Sequence, residues 1–476
     1  MTDKIVSRPQ TTPSRLGLRR HRSKKIPYTV RYLLFFVLQA ALALAIRQTN
    51  VVSTIHAYVT IAAGMFFLVT DKEPYRLICW MSYVAGAELV WRGTGANVFW
   101  ETGKYVIILI SALGCLKSFG KYPFNFSLVP YFLLLVPAIF LMPAFDRETV
   151  SFALAGPLAI VTTSIFFSRL EIDTSKLKTL LLTIVASVLT FSILALAGLI
   201  DTEVIEFSGA SNFFTSANTG PNQVSSVLSL GAFAAFIYAF LERENKFLRL
   251  VVTALGIGLL VQITLTFSRG GLYTLAGSIA LGGLFFMRDQ KARRSYFMIV
   301  IVSFLVFYFL LFPALDQWTS GALGARLRDT EPTGRLEIIR SDLEVFQENP
   351  LFGIGLGQSN VEHARYFRVS NSHTEFSRML AEHGVFGLIS LLVFVVVLGL
   401  KFLQKSEPIN KAVLVACMTW GLLFMAHSAT RLVAPSFLIG LSFAHFDLSI
   451  PTTEKAREKK YSRFRRMSTR YTSRRL

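Results

Sequence analysis

The chain has 476 residues, of which 53% are apolar and only 16% charged, with a formal net charge of +20. So little charge over such a length excludes an ordinary soluble globular protein. The basic excess does not indicate a nucleic-acid partner: residues 1–28 hold eight Lys/Arg and one acid, residues 454–476 hold ten and two, and these tails carry most of the excess. Basic tails beside apolar segments anchor the cytoplasmic face of a membrane and touch anionic headgroups.

Apolar windows long enough to cross a bilayer fall near 29–46, 52–70, 76–92, 102–120, 125–143, 150–168, 178–199, 222–241, 248–267, 271–287, 296–313, 384–402, 411–429 and 430–448. The first lacks a small-residue cleavage site and is followed by many more. It reads as a retained helix rather than a removed signal peptide. Fourteen crossings put both termini on one side, as two basic tails require. The loops agree. Asp71 to Arg76, Lys117 to Lys121, Arg169 to Lys178, Glu242 to Arg249, Arg288 to Arg294 and Lys401 to Lys411 are lysine-rich and so cytoplasmic. Asp201 to Asn222, the Ser268–Gly271 junction, 315–382 and Ala429 to Pro435 fall outside.

The expected fold is therefore an all-α polytopic membrane protein with about 14 transmembrane helices and one large extracytoplasmic helical loop. It divides into a basic tail (1–28), helices 1–11 (29–313), the loop (314–383), helices 12–14 (384–448) and a second basic tail (449–476). Cys79, Cys115 and Cys417 are scattered and form neither a metal spacing nor a disulfide framework. They read as small buried apolar residues.

Leu315 to Glu382 is the only long polar stretch between apolar segments. All its cations are arginine: Arg326, Arg328, Arg335, Arg340, Arg365, Arg368 and Arg378. Leu336, Ile339, Leu343 and Phe346 recur at helical spacing, which predicts an amphipathic helix over 334–349 lying on an apolar surface. Thr333 suits its N-cap and Pro350 its end. A second short helix is expected from about Ser372 to His383, stopping at Gly384. Gly353-Ile354-Gly355-Leu356-Gly357 lacks the strand–turn–helix context of a nucleotide motif, so it reads as a tight turn.

Three residues stand out chemically. Arg269, in Thr266-Phe267-Ser268-Arg269-Gly270-Gly271, ends an apolar helix on the outer side. It is either a snorkelling anchor or a guanidinium fork for phosphate, with glycines that admit a close neighbour. Arg335 lies in the first turn of its helix, where the dipole disfavours a cation; a phosphate bound there reverses that penalty. His373, before a helix on the outer side, offers an imidazole for proton transfer near neutral pH. Glu375 and Glu382 either orient it or are solvated. Glu88 with Arg92, and Glu101 with Lys104, are spaced to satisfy each other on a helix. The segment with Asn212, Asn218, Asn222, Thr215, Ser216 and Gln223 is rich in amides and hydroxyls. It reads first as a turn region and second as a sugar contact.

The ordered set Ser268-Arg269-Gly270-Gly271, Gly334-Arg335, Asn349 to Gly357, His373 and Ala381-Glu382-His383-Gly384-Val385-Phe386-Gly387 resembles O-antigen ligases and O-antigen polymerases over roughly 265–400. The resemblance implies an inverting, metal-independent glycosyltransferase of the GT-C kind that uses no cofactor. The implied donor is a glycan on undecaprenyl diphosphate. The implied acceptor is a sugar hydroxyl on lipid A core or on a second lipid-linked glycan. Arg269 and Arg335 would grip the diphosphate and His373 would take the acceptor proton. Arg326, Glu375 and Asn218 complete the expected substrate contacts. Many members have Asn after the histidine; here Thr374 follows. The rival readings are a flippase or transporter of lipid-linked oligosaccharides and a protein O-oligosaccharyltransferase. A transporter should place its ionisable residues at mid-membrane and show internal repeats; neither is evident here.

Overall fold

The computed structural model describes residues 27–448 except 118, 201–206, 208–210, 330–334 and 367–373; at 200, 291 and 364–366 only the backbone is described. The basic tails, the expected cap Thr333, Gly334 and His373 therefore lie outside the described residues. The helices are α1 (Tyr28–Gln48), α2 (Asn50–Thr70), α3 (Tyr75–Gly93), α4 (Thr102–Cys115), α5 (Val129–Leu133), α6 (Arg147–Ser168), α7 (Thr174–Ile200), α8 (Pro221–Leu241), α9 (Lys246–Leu265) and α10 (Arg269–Phe286). They continue as α11 (Gln290–Leu305), α12 (Phe312–Trp318), α13 (Ala322–Arg328), α14 (Arg335–Glu348), α15 (Gln358–Tyr366), α16 (Glu375–Leu403), α17 (Pro408–Ser428) and α18 (Ala434–Ser442). Among the described residues, nine helices are long and apolar enough to cross a membrane, with α11 and α12 joined through a π-helical segment as one of them. The chain is a multi-pass, predominantly helical membrane protein.

Two of the fourteen expected windows are not continuous helices. In 125–143, Pro130 and Pro137 each restart the backbone, giving the short α5 and a 3₁₀ helix over Val136–Leu141. In 430–448, polar contacts hold the first residues out of helix: the Thr430 amide donates to Glu375, the Arg431 carbonyl accepts from Arg92 and the Val433 amide donates to Glu88. Only the nine residues of α18 are helical there. The chain then forms strand β2 (His445–Asp447), which pairs in parallel with β1 (Glu171–Asp173), Ile172 opposite Phe446. This small sheet is the one departure from an all-α fold among the described residues.

The α8 helix is the axis of the bundle. Its membrane-length window is 94% buried, against 11% for the α11–α12 unit at the periphery. It packs against α9, α7 and α10. The β1–β2 pair ties the α6–α7 connection to the chain after α18, and the Asn245 amide donates to Thr29 Oγ1. Both ends of the described chain thus lie at one end of the bundle. The described parts of the 315–374 loop lie at the other, where Arg326 and Arg335 meet the starts of α10 and α8.

Within that loop, α14 forms as expected but turns a different face inward. Ile338, Asp342 and Val345 are buried, while Leu336 and Leu343 are exposed. The physical reason is Asp342. Its carboxylate lies 2.9 Å from His363 Nε2 and accepts from Ser377 Oγ at 2.5 Å, binding α14 to α15 and α16. A count of apolar residues cannot foresee a buried line with a carboxylate at its centre. The second helix begins at Glu375 rather than Ser372 and continues through a kink at Gly384 (φ 58°, ψ −135°) into a full-length span. There the glycine-rich turn docks: Ile354 N donates to Ala381 O at 3.0 Å, Gly355 N to Glu382 O at 3.1 Å and Val385 N to Pro350 O at 2.7 Å.

Candidate active site

The site begins where α9 gives way to α10. Phe267 there has φ 56°, a left-handed conformation that costs a bulky residue energy unless its surroundings fix it. They do: the Asn212 amide donates to Thr266 O at 2.9 Å, Thr215 Oγ1 to Leu265 O at 2.5 Å, and Ser268 N to Thr266 Oγ1 at 3.1 Å. The turn makes Arg269 the first residue of α10. Close packing follows at Gly271, where a Cβ would lie 2.3 Å from the Ser225 carbonyl oxygen. The glycines therefore serve helix contact, setting the start of α10 against the start of α8. Ser268 Oγ donates across this contact to Asn222 Oδ1 at 2.7 Å.

Three arginines converge here. Arg269 donates to the Asp329 carbonyl, and its guanidinium lies 3.8 Å from the Asp329 carboxylate. Arg326, near the end of α13, is buried; it donates through Nε to Phe267 O at 3.2 Å and through Nη1 to the same carboxylate at 3.0 Å. Arg335, the first residue of α14, donates to Asn222 Oδ1 at 3.4 Å. Burial, and then the neighbouring charges of Arg269 and Arg326, hold the Arg335 guanidinium below its usual pKa. Arg326 is lowered by burial and then by Arg269, with Asp329 opposing. The mutual repulsion shows that three cations share one recess. Two helix starts, α10 and α14, carry arginine where the dipole favours an anion.

The other expected contacts are placed differently. Glu375 is buried; Arg378 binds one oxygen at 2.7 Å and the Thr430 amide the other at 3.2 Å, so it forms part of the wall. Glu382, also buried, accepts from Arg378 at 2.6 Å, Ser359 Oγ at 2.7 Å and Gly357 N at 3.0 Å. It is not solvated. Asn218 sits exposed on a left-handed turn (φ 52°), and Asn222, one helical turn further, is the amide that meets Arg335. Asp329 was not singled out from sequence, although its spacing of three from Arg326 is that of a helical ion pair. Glu88, Arg92, Glu101 and Lys104 form one buried network rather than two pairs, with Arg92 joining Glu88 at 2.5 Å and Glu101 at 3.2 Å.

The structure is a polytopic helical bundle in which three guanidinium groups meet beside the starts of α8 and α10. Residues 253–392, which contain all three arginines, match the O-antigen ligase family model. That match covers 140 of the 476 residues and supports, at a coarse level, an O-antigen ligase or polymerase type of glycan transfer. No curated protein sequence matches the chain.

Proposed function

We propose that the protein transfers a glycan from undecaprenyl diphosphate to an acceptor sugar hydroxyl, at the outer face of the inner membrane, without a metal ion. Convergence of Arg269, Arg326 and Arg335 carries the reading. Guanidinium forks match phosphate oxygens bidentately, and three of them supply the countercharge a departing diphosphate needs. The acceptor oxygen attacks the anomeric carbon from the face opposite the diphosphate. The bond from that carbon to the phosphate oxygen breaks, its electron pair leaves with the diphosphate, and the configuration inverts. His373 takes the hydroxyl proton. The acceptor is lipid A core in the ligase form or a second lipid-linked glycan in the polymerase form.

The test is transfer by the purified protein from a lipid-linked glycan, with chelator present. Arg269→Ala and Arg335→Ala should each lower kcat/KM by about 10²–10³-fold, as loss of a charge-stabilising donor does. His373→Ala should lower it by about 10²-fold or more. Full turnover in all three variants would remove the site, and loss of turnover in chelator would remove the metal-free mechanism.

A further inference from the structure

A second cavity of about 440 Å³ opens at the same end of the bundle, between the α3–α4 connection, the start of α6 and the residues Gly357, Asn360, Arg378 and Glu382. It shares a wall with the region described above, because Arg378 donates both to Glu375 and, at 3.4 Å, to the Ala153 carbonyl on the cavity side. Its chemistry is the opposite of the arginine recess. Glu101, Asp146, Glu148 and Glu382 face Arg147 and Arg378, so carboxylates outnumber cations two to one. Phe99 and Trp100 line it with more than half of their surface open. Arg92 sits 5.2 Å behind the Trp100 ring and is itself fixed by Glu88 and the Arg431 carbonyl, which makes the indole a supported platform.

Glu101 gives the cavity its direction. The residue is 5% exposed. Its Oε2 is held by Lys104 at 2.5 Å and Arg92 at 3.2 Å, while Oε1 has no hydrogen-bond partner among the described residues. A buried carboxylate oxygen in that state is open to an incoming hydrogen-bond donor. An aromatic ring beside hydroxyl-accepting carboxylates fits a molecule with an apolar C–H face and a rim of O–H donors. An anion is repelled.

We propose that this cavity is a sugar-binding subsite, separate from the diphosphate recess. It takes a neutral or amino-sugar unit of a glycan, stacked on Trp100, with hydroxyls donated to Glu101. The proposal rests on the glycan-transfer reading only for the source of the sugar.

The test uses the full chain in lipid nanodiscs and two probes. One is lipid-free glycan released by mild acid from the source cells' lipid-linked pool; the other is undecaprenyl diphosphate. Trp100→Ala and Glu101→Gln should each weaken glycan binding about tenfold or more and leave undecaprenyl diphosphate binding within twofold, which also reports an intact fold. Arg335→Ala should do the reverse. An oligogalacturonate should bind at least tenfold more weakly than the released glycan. The cavity proposal fails if wild-type protein that binds undecaprenyl diphosphate does not bind the glycan. It also fails if Trp100→Ala and Glu101→Gln bind glycan as wild type does, or if Arg335→Ala abolishes glycan binding. Undecaprenyl diphosphate binding that survives Arg335→Ala sinks the recess reading instead, and the glycan arm then stands by itself.

Discussion

Two arginine clusters, one on α16 and one at the starts of α10 and α14, are built in opposite ways. Arg378 is neutralised on both sides, by Glu375 at 2.7 Å and Glu382 at 2.6 Å, and all three are buried. In the recess, burial and then the neighbouring guanidinium charges hold Arg326 and Arg335 below their usual pKa, while Asp329 pairs with both Arg269 and Arg326. A balanced buried cluster is a fixture of the fold; removing one member strands the others. Under the proposed function, the recess is instead the place where the diphosphate charge is met. The same residue type therefore has opposite expected roles only a few side chains apart.

The largest effect should follow from breaking the balanced cluster. Arg378→Ala leaves two buried carboxylates facing each other, which costs about 3–5 kcal/mol for a buried pair that loses a partner. Arg335→Ala relieves repulsion and should leave thermal stability unchanged or slightly raised, while abolishing undecaprenyl diphosphate binding. Thermal unfolding of the two variants in the same detergent decides it. If Arg335→Ala unfolds the protein as readily as Arg378→Ala, the recess is structural after all.

The recess was legible because it violates local rules that the rest of the chain obeys. Arginine at the first position of α14 opposes the helix dipole, and that conflict is visible in sequence; the same conflict at α10 was not, because Arg269 reads there as the end of the preceding apolar helix. The partner Asn222 was visible only as one of several amides, because its choice over Asn218 depends on a left-handed turn at 217–218 that swings one away and leaves the other on α8. The breaks in the helix expected at 125–143 had a readable cause in Pro130 and Pro137. The inward face of α14 did not, since burial of Asp342 depends on His363 and Ser377 arriving from other helices. The acidic cavity assembles from three distant segments; Glu101 and Glu382 were each singled out beforehand, the first as the partner of Lys104 and the second beside His373, but nothing in the sequence joined them.

An intermediate effect should come from the joint that holds the loop to α16. A Cβ on Gly353 would lie 2.5 Å from the Glu382 carbonyl carbon and the His383 nitrogen, at φ 70°. Gly353→Ala thus forces both a backbone clash and a left-handed alanine, which costs about 1–3 kcal/mol. The loss should appear as faster proteolysis within 349–374, with transfer falling in parallel. Activity kept alongside a loosened loop would show that the arginines hold their positions without this joint.

The smallest effect is also the sharpest test of the comparison. Asn222 Oδ1 accepts from Ser268 at 2.7 Å and only weakly from Arg335 at 3.4 Å. Asn222→Ala should lower kcat/KM by only about 2–10-fold, the scale of one neutral hydrogen bond. Asn222→Asp keeps the shape and adds a carboxylate against Arg335. In a structural cluster this new ion pair would stabilise the protein and leave activity alone. In an anion site it competes with the incoming diphosphate, so kcat/KM should fall further than in Asn222→Ala even though thermal stability rises. Asn218→Ala, on the exposed turn, should change neither. An Asn222→Asp enzyme as active as wild type would mean that phosphate never occupies the ground beside Arg335.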